Sequence, residues 1–126
     1  MKKLILVLAA ALPFLFTGCK ETKALDGEWK TVSLVQDGET YTNDEAFIGF
    51  ENEMGELKVY GNSGVNLFNG TIKVKNGTVK TDGFASTRMM GPEPEMTFED
   101  KFLEILSYAD RYELNDNILV IIWRKK

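Results

Sequence analysis

Three observations predict a mostly β (α+β) fold, a small antiparallel sheet covered by one amphipathic helix in the C-terminal half. Turn-forming clusters recur at short intervals, at Asp37-Gly38, Asn43-Asp44, Asn52 to Gly55, Asn62-Ser63-Gly64, Asn76-Gly77, Asp82-Gly83 and Asn115-Asp116-Asn117. They divide the chain into apolar runs of strand length. The segment Phe98 to Tyr108 breaks that pattern, with Phe98, Phe102, Ile105 and Leu106 at helical spacing. The last run, Ile118 to Trp123, is apolar on both faces, as a central or closing strand covered from both sides would be.

The first element is not part of that sheet pattern. Lys2-Lys3, an apolar run from Leu4 to Phe16, and Thr17-Gly18-Cys19 have the order of a secretory leader: positive start, apolar middle, small residues before a cut. The run is shorter than the ~20 residues a spanning helix needs. Thr17-Gly18-Cys19 resembles a bacterial lipobox, with Phe16 where leucine is usual. That resemblance implies cleavage after residue 18 and a diacylglyceryl group on Cys19, the only cysteine of the chain. Residues 1–18 are thus expected as a lipoprotein signal peptide, 19–25 as a lipidated flexible tether, and 26–126 as one domain.

Composition constrains what such a domain can do. Cleavage leaves 108 residues with 13 basic and 19 acidic side chains, a net charge of −6. One domain with one core fits that length, and an acidic surface argues against nucleic acid and against adhesion to anionic lipid. With its one thiol acylated, the chain makes no internal disulfide, although the envelope compartments permit them. Histidine is absent, which removes the commonest general base and the commonest transition-metal ligand.

Strands are expected at Glu28 to Val35, Ala46 to Glu51, Glu56 to Tyr60, Val65 to Phe68, Thr71 to Lys75, Thr78 to Thr81, Arg111 to Leu114 and Ile118 to Trp123. The clearest hairpin is centred on Asn76-Gly77, a pair suited to the positive φ of a type I′ turn. Its Ile72, Val74 and Val79 share the buried face, and Lys73, Lys75 and Lys80 face water. For the helix, Thr97 with Asp100 suggests a capping box, and Glu99 and Asp100 suit the positive end of the helix dipole.

Two segments carry a family resemblance. Tyr60-Gly61-Asn62-Ser63-Gly64-Val65-Asn66 followed by Asn69-Gly70, then Ser86-Thr87-Arg88-Met89-Met90, together with the late helix and closing strand, resemble the META domain of HslJ-like heat-shock lipoproteins. Relatives typically read Gly-x-x-Gly-Cys-Asn and Ser-Thr-x-Met-x-Cys, so Val65 and Gly91 stand where cysteines are usual. The resemblance runs from about residue 26 to the end. It implies an antiparallel sheet curled into a partly open barrel, a cell-envelope location and a loosely defined role without catalysis.

Other constellations read as structure. Gly61 and Gly64 suit close turns, and Asn66 suits bonds to nearby backbone. Asn66, Thr87 and Arg88 are the candidate partner or ligand contacts, although an ion pair of Arg88 with Glu93, Glu95 or Glu99 is the simpler role. The acids Glu93, Glu95, Glu99 and Asp100 read as a solvated turn and helix start rather than a calcium loop. Met54, Met89, Met90 and Met96 read as core filler rather than copper ligands. Ser33, Ser63, Ser86 and Ser107 have no histidine base and no lysine at the alternative spacing. Glu45, Glu51, Glu53 and Glu56 read as solvated charge rather than a glycosidase pair. No enzyme activity, catalytic residue, metal or cofactor is expected.

Gly27-Glu28-Trp29 with Arg124 is similar to the opening and late arginine of lipocalin-like barrels, which implies a barrel end closed by Trp29 stacked under Arg124. Three roles follow. The first is a lipid-anchored META-type domain that binds envelope components or supports stress tolerance. The second is a barrel holding a small apolar ligand or acyl chain, which requires an internal cavity of about 300 Å³ or more. The third is a protein-binding assembly partner resembling secretion pilot lipoproteins. Membrane attachment through Cys19, a monomeric state and no nucleic acid are common to all three. Lys20, rather than an inner-membrane aspartate signal, favours the outer membrane.

Overall fold

The computed structural model describes residues 2–8, 21–115 and 117–124. Eight strands follow one another as an antiparallel curl: β2 (Gly27–Gln36), β3 (Glu39–Tyr41), β4 (Phe47–Glu53), β5 (Glu56–Asn62), β6 (Leu67–Lys75), β7 (Thr78–Ser86), β8 (Ala109–Asn115) and β9 (Ile118–Trp123). Sheet order is β9-β8-β7-β6-β5-β4-β2-β3, so each hairpin folds onto its predecessor and β3 is a short flap on β2. A half-barrel of this kind is the expected fold. Alternation along β5, whose Leu57, Val59 and Gly61 are buried, puts one face on the core and the other in water.

Three two-residue turns share one backbone solution. Asp37-Gly38, Met54-Gly55 and Asn76-Gly77 all have positive φ at both positions, 53° and 78°, 53° and 87°, 51° and 82°. That is the type I′ geometry whose twist matches the flanking strands. The Asn76-Gly77 hairpin takes the expected register, Val74 opposite Val79 and Lys75 opposite Thr78. The two expected strands Val65 to Phe68 and Thr71 to Lys75 are one strand, β6. Its ladder shifts between Gly70 and Ile72, where Gly70 lets Phe84 and the Gly83 carbonyl approach too closely for a Cβ. Gly61 serves the same purpose within β5 rather than in a turn, since a Cβ there would clash with the Phe47 carbonyl oxygen.

Helix α2 (Glu93–Ser107) begins five residues before the expected Phe98. Pro92 is its N-cap and Pro94 lies in the first turn, where a missing N–H costs nothing. No side-chain cap is formed, so the Thr97 to Asp100 box is not used. Phe98, Phe102, Ile105 and Leu106 are buried as predicted, and Phe102 sits edge-on to Phe68 with ring centroids 5.6 Å apart. The helix crosses one end of the curl. Gln36 donates to Glu104 at 3.0 Å, and Lys101 donates to Gln36 at 2.9 Å and sits over the Tyr41 ring.

The opposite end is closed by a short helix, α1 (Glu21–Leu25), where a flexible tether was expected. Leu25 is buried in the core, and its carbonyl accepts from the Trp29 indole N–H at 2.8 Å. The Glu21 carboxylate accepts from the Asn76 N–H at 3.0 Å, the Gly77 N–H at 2.8 Å and the Tyr112 hydroxyl. Burial and that hydrogen bond together push the Tyr112 pKa well up. Lys20 to Lys23 lack apolar periodicity, so this docking has no signature in the segment itself. Its determinant, the donor-rich turn at Asn76-Gly77, lies 55 residues away.

Strand β1 (Lys2–Leu8), from the segment read as a leader, lies parallel to both β2 and β9 and bridges them. Ile5 stands opposite Ser33 on one side and Val120 on the other. β9 is therefore interior to the sheet, as its two apolar faces predict.

Candidate functional site

The two motif segments meet at the α2 end of the half-barrel. Asn66 uses its whole side-chain amide. Its Nδ2 donates to Glu99 Oε2 at 2.7 Å and to the Met89 carbonyl at 3.1 Å, while its Oδ1 accepts from the Thr87 hydroxyl at 2.8 Å and the Met89 N–H at 2.6 Å. Two donors and two lone pairs are all that an amide offers. Thr87 also accepts from the Leu67 N–H at 3.1 Å. Asn66 and Thr87, two of the candidate contacts, thus tie segment 87–89 to the start of β6.

Glu99 is the residue that sequence reasoning misplaced. Expected as a solvated acid, it is only 4 % exposed. Its Oε1 accepts from the Ser63 hydroxyl at 2.7 Å, the Val65 N–H at 3.1 Å and the Asn66 N–H at 2.6 Å. Burial alone would raise its pKa, but the hydrogen bonds from Asn66, Ser63 and Val65 outweigh it and hold the carboxyl below its ordinary value. The ionised carboxylate is a clamp. With its lone pairs committed to backbone and side-chain donors, it has little capacity left to take a proton from a substrate. The sequence signal was a run of donors, Ser63 to Asn66, of which the neighbouring Asn62 side chain takes only the Gly64 N–H.

Arg88 is exposed, and among the described residues it pairs with neither Glu93, Glu95 nor Glu99. Of the three expected partners, Glu99 is turned inward to Asn66. Met54, Met89 and Met90 are not core filler either. They are 99 %, 57 % and 87 % exposed, placed in a turn and in the open stretch before α2; Met96 is half-buried.

The Val65 and Gly91 positions are neighbours. A Cβ on Gly91 would lie 3.5 Å from the Val65 Cβ and 2.7 Å from its Cγ2. That Cβ separation is within the range of a disulfide, ~3.5–4.5 Å. Valine fills here the space that a second side chain would need.

Trp29 and Arg124 are not brought together. Trp29 is buried beside α1, whereas Arg124 follows β9 at the other end, its N–H bonded to the Tyr108 carbonyl at 3.0 Å. Lys3 faces both Lys30 and Ile118, which puts Trp29 level with the start of β9. Six residues of strand, about 20 Å, separate that level from Arg124. Trp29 closes its barrel end with Leu25 instead.

Among the described residues, the core void is small. A void of about 20 Å³ lies between Leu25, Phe50, Ile72, Leu106, Tyr112 and Leu119, room for about one water-sized sphere. An open cleft of about 520 Å³ lies where β7 and β8 diverge beyond the Thr78 and Arg111 pair, lined by Lys80, Tyr108, Asp110 and Arg124. It is polar at the rim and lies outside the core. Cys19 falls outside the described residues.

No curated protein and no solved structure matches the chain. The family comparison does give a result, and it coincides with the domain that begins at α1 and includes both linked motif segments: the META domain matches residues 22–126, so the chain belongs to the META domain family.

Proposed function

We propose that the protein is a non-enzymatic, lipid-anchored envelope lipoprotein that binds an extended segment of another envelope protein. The observation that carries this reading is the seat of β1. Lys2–Leu8 fills a gap one strand wide between β2 and β9, with six residue pairs along each side. Residues 4–8 of that strand are all apolar. If the leader is cut before Cys19, two rows of backbone donors and acceptors face each other across the gap, the arrangement that accepts an added strand.

The interior supports the same reading over a ligand-holding barrel. A void of about 20 Å³ is an order of magnitude below the ~300 Å³ of a small-molecule pocket. The absence of histidine and the commitment of Glu99 to Ser63, Val65 and Asn66 fit a binding role rather than a catalytic one. Attachment through a diacylglyceryl thioether on Cys19, with the outer membrane as destination, rests on the lipobox resemblance and on Lys20. A support role in stress tolerance would be exercised through the same binding edge.

Two measurements test this. Palmitate should label the expressed protein and not its Cys19→Ala variant. Amide exchange on the processed protein should be fast at those β2 and β9 amides that face the gap, and not at those bonded to β8, to β3 or, for Thr31, to the Ala46 carbonyl, and it should slow at least tenfold when a peptide of the Lys2–Leu8 sequence is added. Protection of those amides without peptide would mean that β2 and β9 pair directly, which overturns the strand-acceptor role.

A further inference from the structure

The anchor and the domain are joined too closely for the domain to tumble freely. One residue, Lys20, separates Cys19 from Glu21. Two residue steps span at most about 7 Å. Glu21 is itself held on the β6–β7 turn by three hydrogen bonds. A lipid on Cys19 therefore emerges beside that turn.

Strand register shows what else lies at this end. Leu57 faces both Asn52 and Ile72, so the Met54-Gly55 tip projects two residues beyond that rung and the Asn76-Gly77 tip four. Gly27 faces Phe50, and the Asn52 N–H donates to Asp26 at 3.0 Å, which sets the C-terminal side of α1 against the base of the β4–β5 hairpin. The Tyr112 N–H donates to the Gly77 carbonyl at 2.9 Å, and the β8–β9 turn begins three residues later. Ile118, just after that turn, is 39 % exposed.

Met54 is the odd residue in this set. The other two turns with the same geometry place Asp37 and Asn76 at the first positive-φ position, the side chains that tolerate it best. Methionine at φ 53° is strained there, and the strain serves no packing, because Met54 is 99 % exposed. A non-glycine residue held in the left-handed region without a packing reason points to a role outside the fold. An apolar tip at the end where the acyl chains leave is suited to a lipid surface. Glu53 and Glu56 flank it and keep it at headgroup depth.

We infer that the end of the half-barrel carrying α1, the Met54-Gly55 turn and Ile118 is a membrane-contact face, with Met54 seated in the headgroup layer of the leaflet that holds the lipidated Cys19. The inference rests on the anchored reading above. It fixes the orientation of the domain: the Asn66 lock and the exposed Met89 and Met90 point away from the bilayer, and the β2/β9 gap runs along the membrane normal.

Because Cys19 is the sole cysteine, a Met54→Cys variant of the lipidated, processed chain has one free thiol. That thiol takes an environment-sensitive fluorophore, and the protein is floated on phosphatidylcholine vesicles containing spin-labelled lipid. The expected result is blue-shifted emission quenched at least twofold, with a water-like, unquenched signal from the same label on a Met90→Cys variant. A floated protein whose label at 54 is water-like, or equal quenching at both positions, overturns the orientation alone. Protein that neither incorporates palmitate nor floats overturns the anchored reading and this inference with it.

Discussion

At the scale of single residues, Glu99 has the largest consequence. Its carboxylate is an acceptor for donors from Ser63, Val65 and Asn66, and removing one partner of a buried, charge-assisted bond is costly. Glu99→Gln, which turns one acceptor into a donor facing donors, should lower stability at neutral pH by about 2–4 kcal/mol. The sign with pH follows from the lowered pKa. An unfolded glutamate titrates near about 4.3, so the stabilisation is complete above that value and is lost as pH falls through the lower folded pKa. Urea midpoints of the two proteins should thus keep their separation above the unfolded value and converge as acid carries the pH down through the lower folded pKa; a gap that is unchanged by acid would show that the charge is not what matters. Val65 and Gly91 give a second test. With Cβ atoms 3.5 Å apart, the Val65→Cys and Gly91→Cys pair should oxidise spontaneously. Closing that loop should raise stability by about 2–4 kcal/mol, read as the difference in urea midpoint with and without reductant. Glu99 did not announce itself in the sequence, because it matched the pattern of a solvated helix start; Val65 and Gly91 were marked only through the family resemblance, as positions where cysteines are usual, since their contact spans 26 positions.

At the scale of elements, what could be read in advance was what is local. The Asn76-Gly77 hairpin, the two-faced Ile118–Trp123 strand and the buried stripe of α2 each have their cause within a dozen residues. The elements that were missed are decided elsewhere. Helix α1 has five residues, too few to be stable on propensity, and exists because Leu25 reaches the core and Glu21 finds the β6–β7 turn. β3 is three residues with no apolar alternation, paired among the described residues with β2 alone. The start of α2 lies before the expected Phe98 because the apolar periodicity begins only there, whereas Pro92 and Pro94 are compatible with a cap and first turn. Met54-Gly55 lies between the two cases: a turn was legible there, but not that methionine occupies its strained position. Met54→Asn should therefore stabilise the fold, by about 0.5–1 kcal/mol, since asparagine tolerates the left-handed conformation at less cost. Thermal unfolding of the unlipidated protein measures this. A melting temperature that falls would mean that the methionine contributes to the fold itself and is not strained for an external purpose.

At the scale of the whole molecule, the two ends of the half-barrel are closed in different ways, by α2 through the Asn66 and Glu99 lock and by α1 through Leu25 and Glu21. Between them the curl of eight strands has a lateral gap between β2 and β9, bridged by β1, besides the cleft where β7 and β8 diverge. Cleavage before Cys19 would leave both closures in place, because α1, the motif segments and α2 all lie after residue 18. What cleavage removes is the ladder of β1 with β2 and β9, six residue pairs on each side. Backbone hydrogen bonds contribute on the order of 1 kcal/mol each, but ordering each strand residue costs ~1–2 kcal/mol, so the net contribution of β1 should be modest. The chain carrying its leader and the Cys19→Ala change should unfold in urea about 1–3 kcal/mol harder than the same chain starting at residue 19. Both should remain cooperative, and the longer one should have the steeper transition, because it exposes more surface on unfolding. Equal midpoints would mean that β2 and β9 close on each other once β1 is gone, at no net cost. Loss of cooperativity in the shorter chain would mean that the half-barrel depends on an added strand, and that the partner filling the gap is part of its fold.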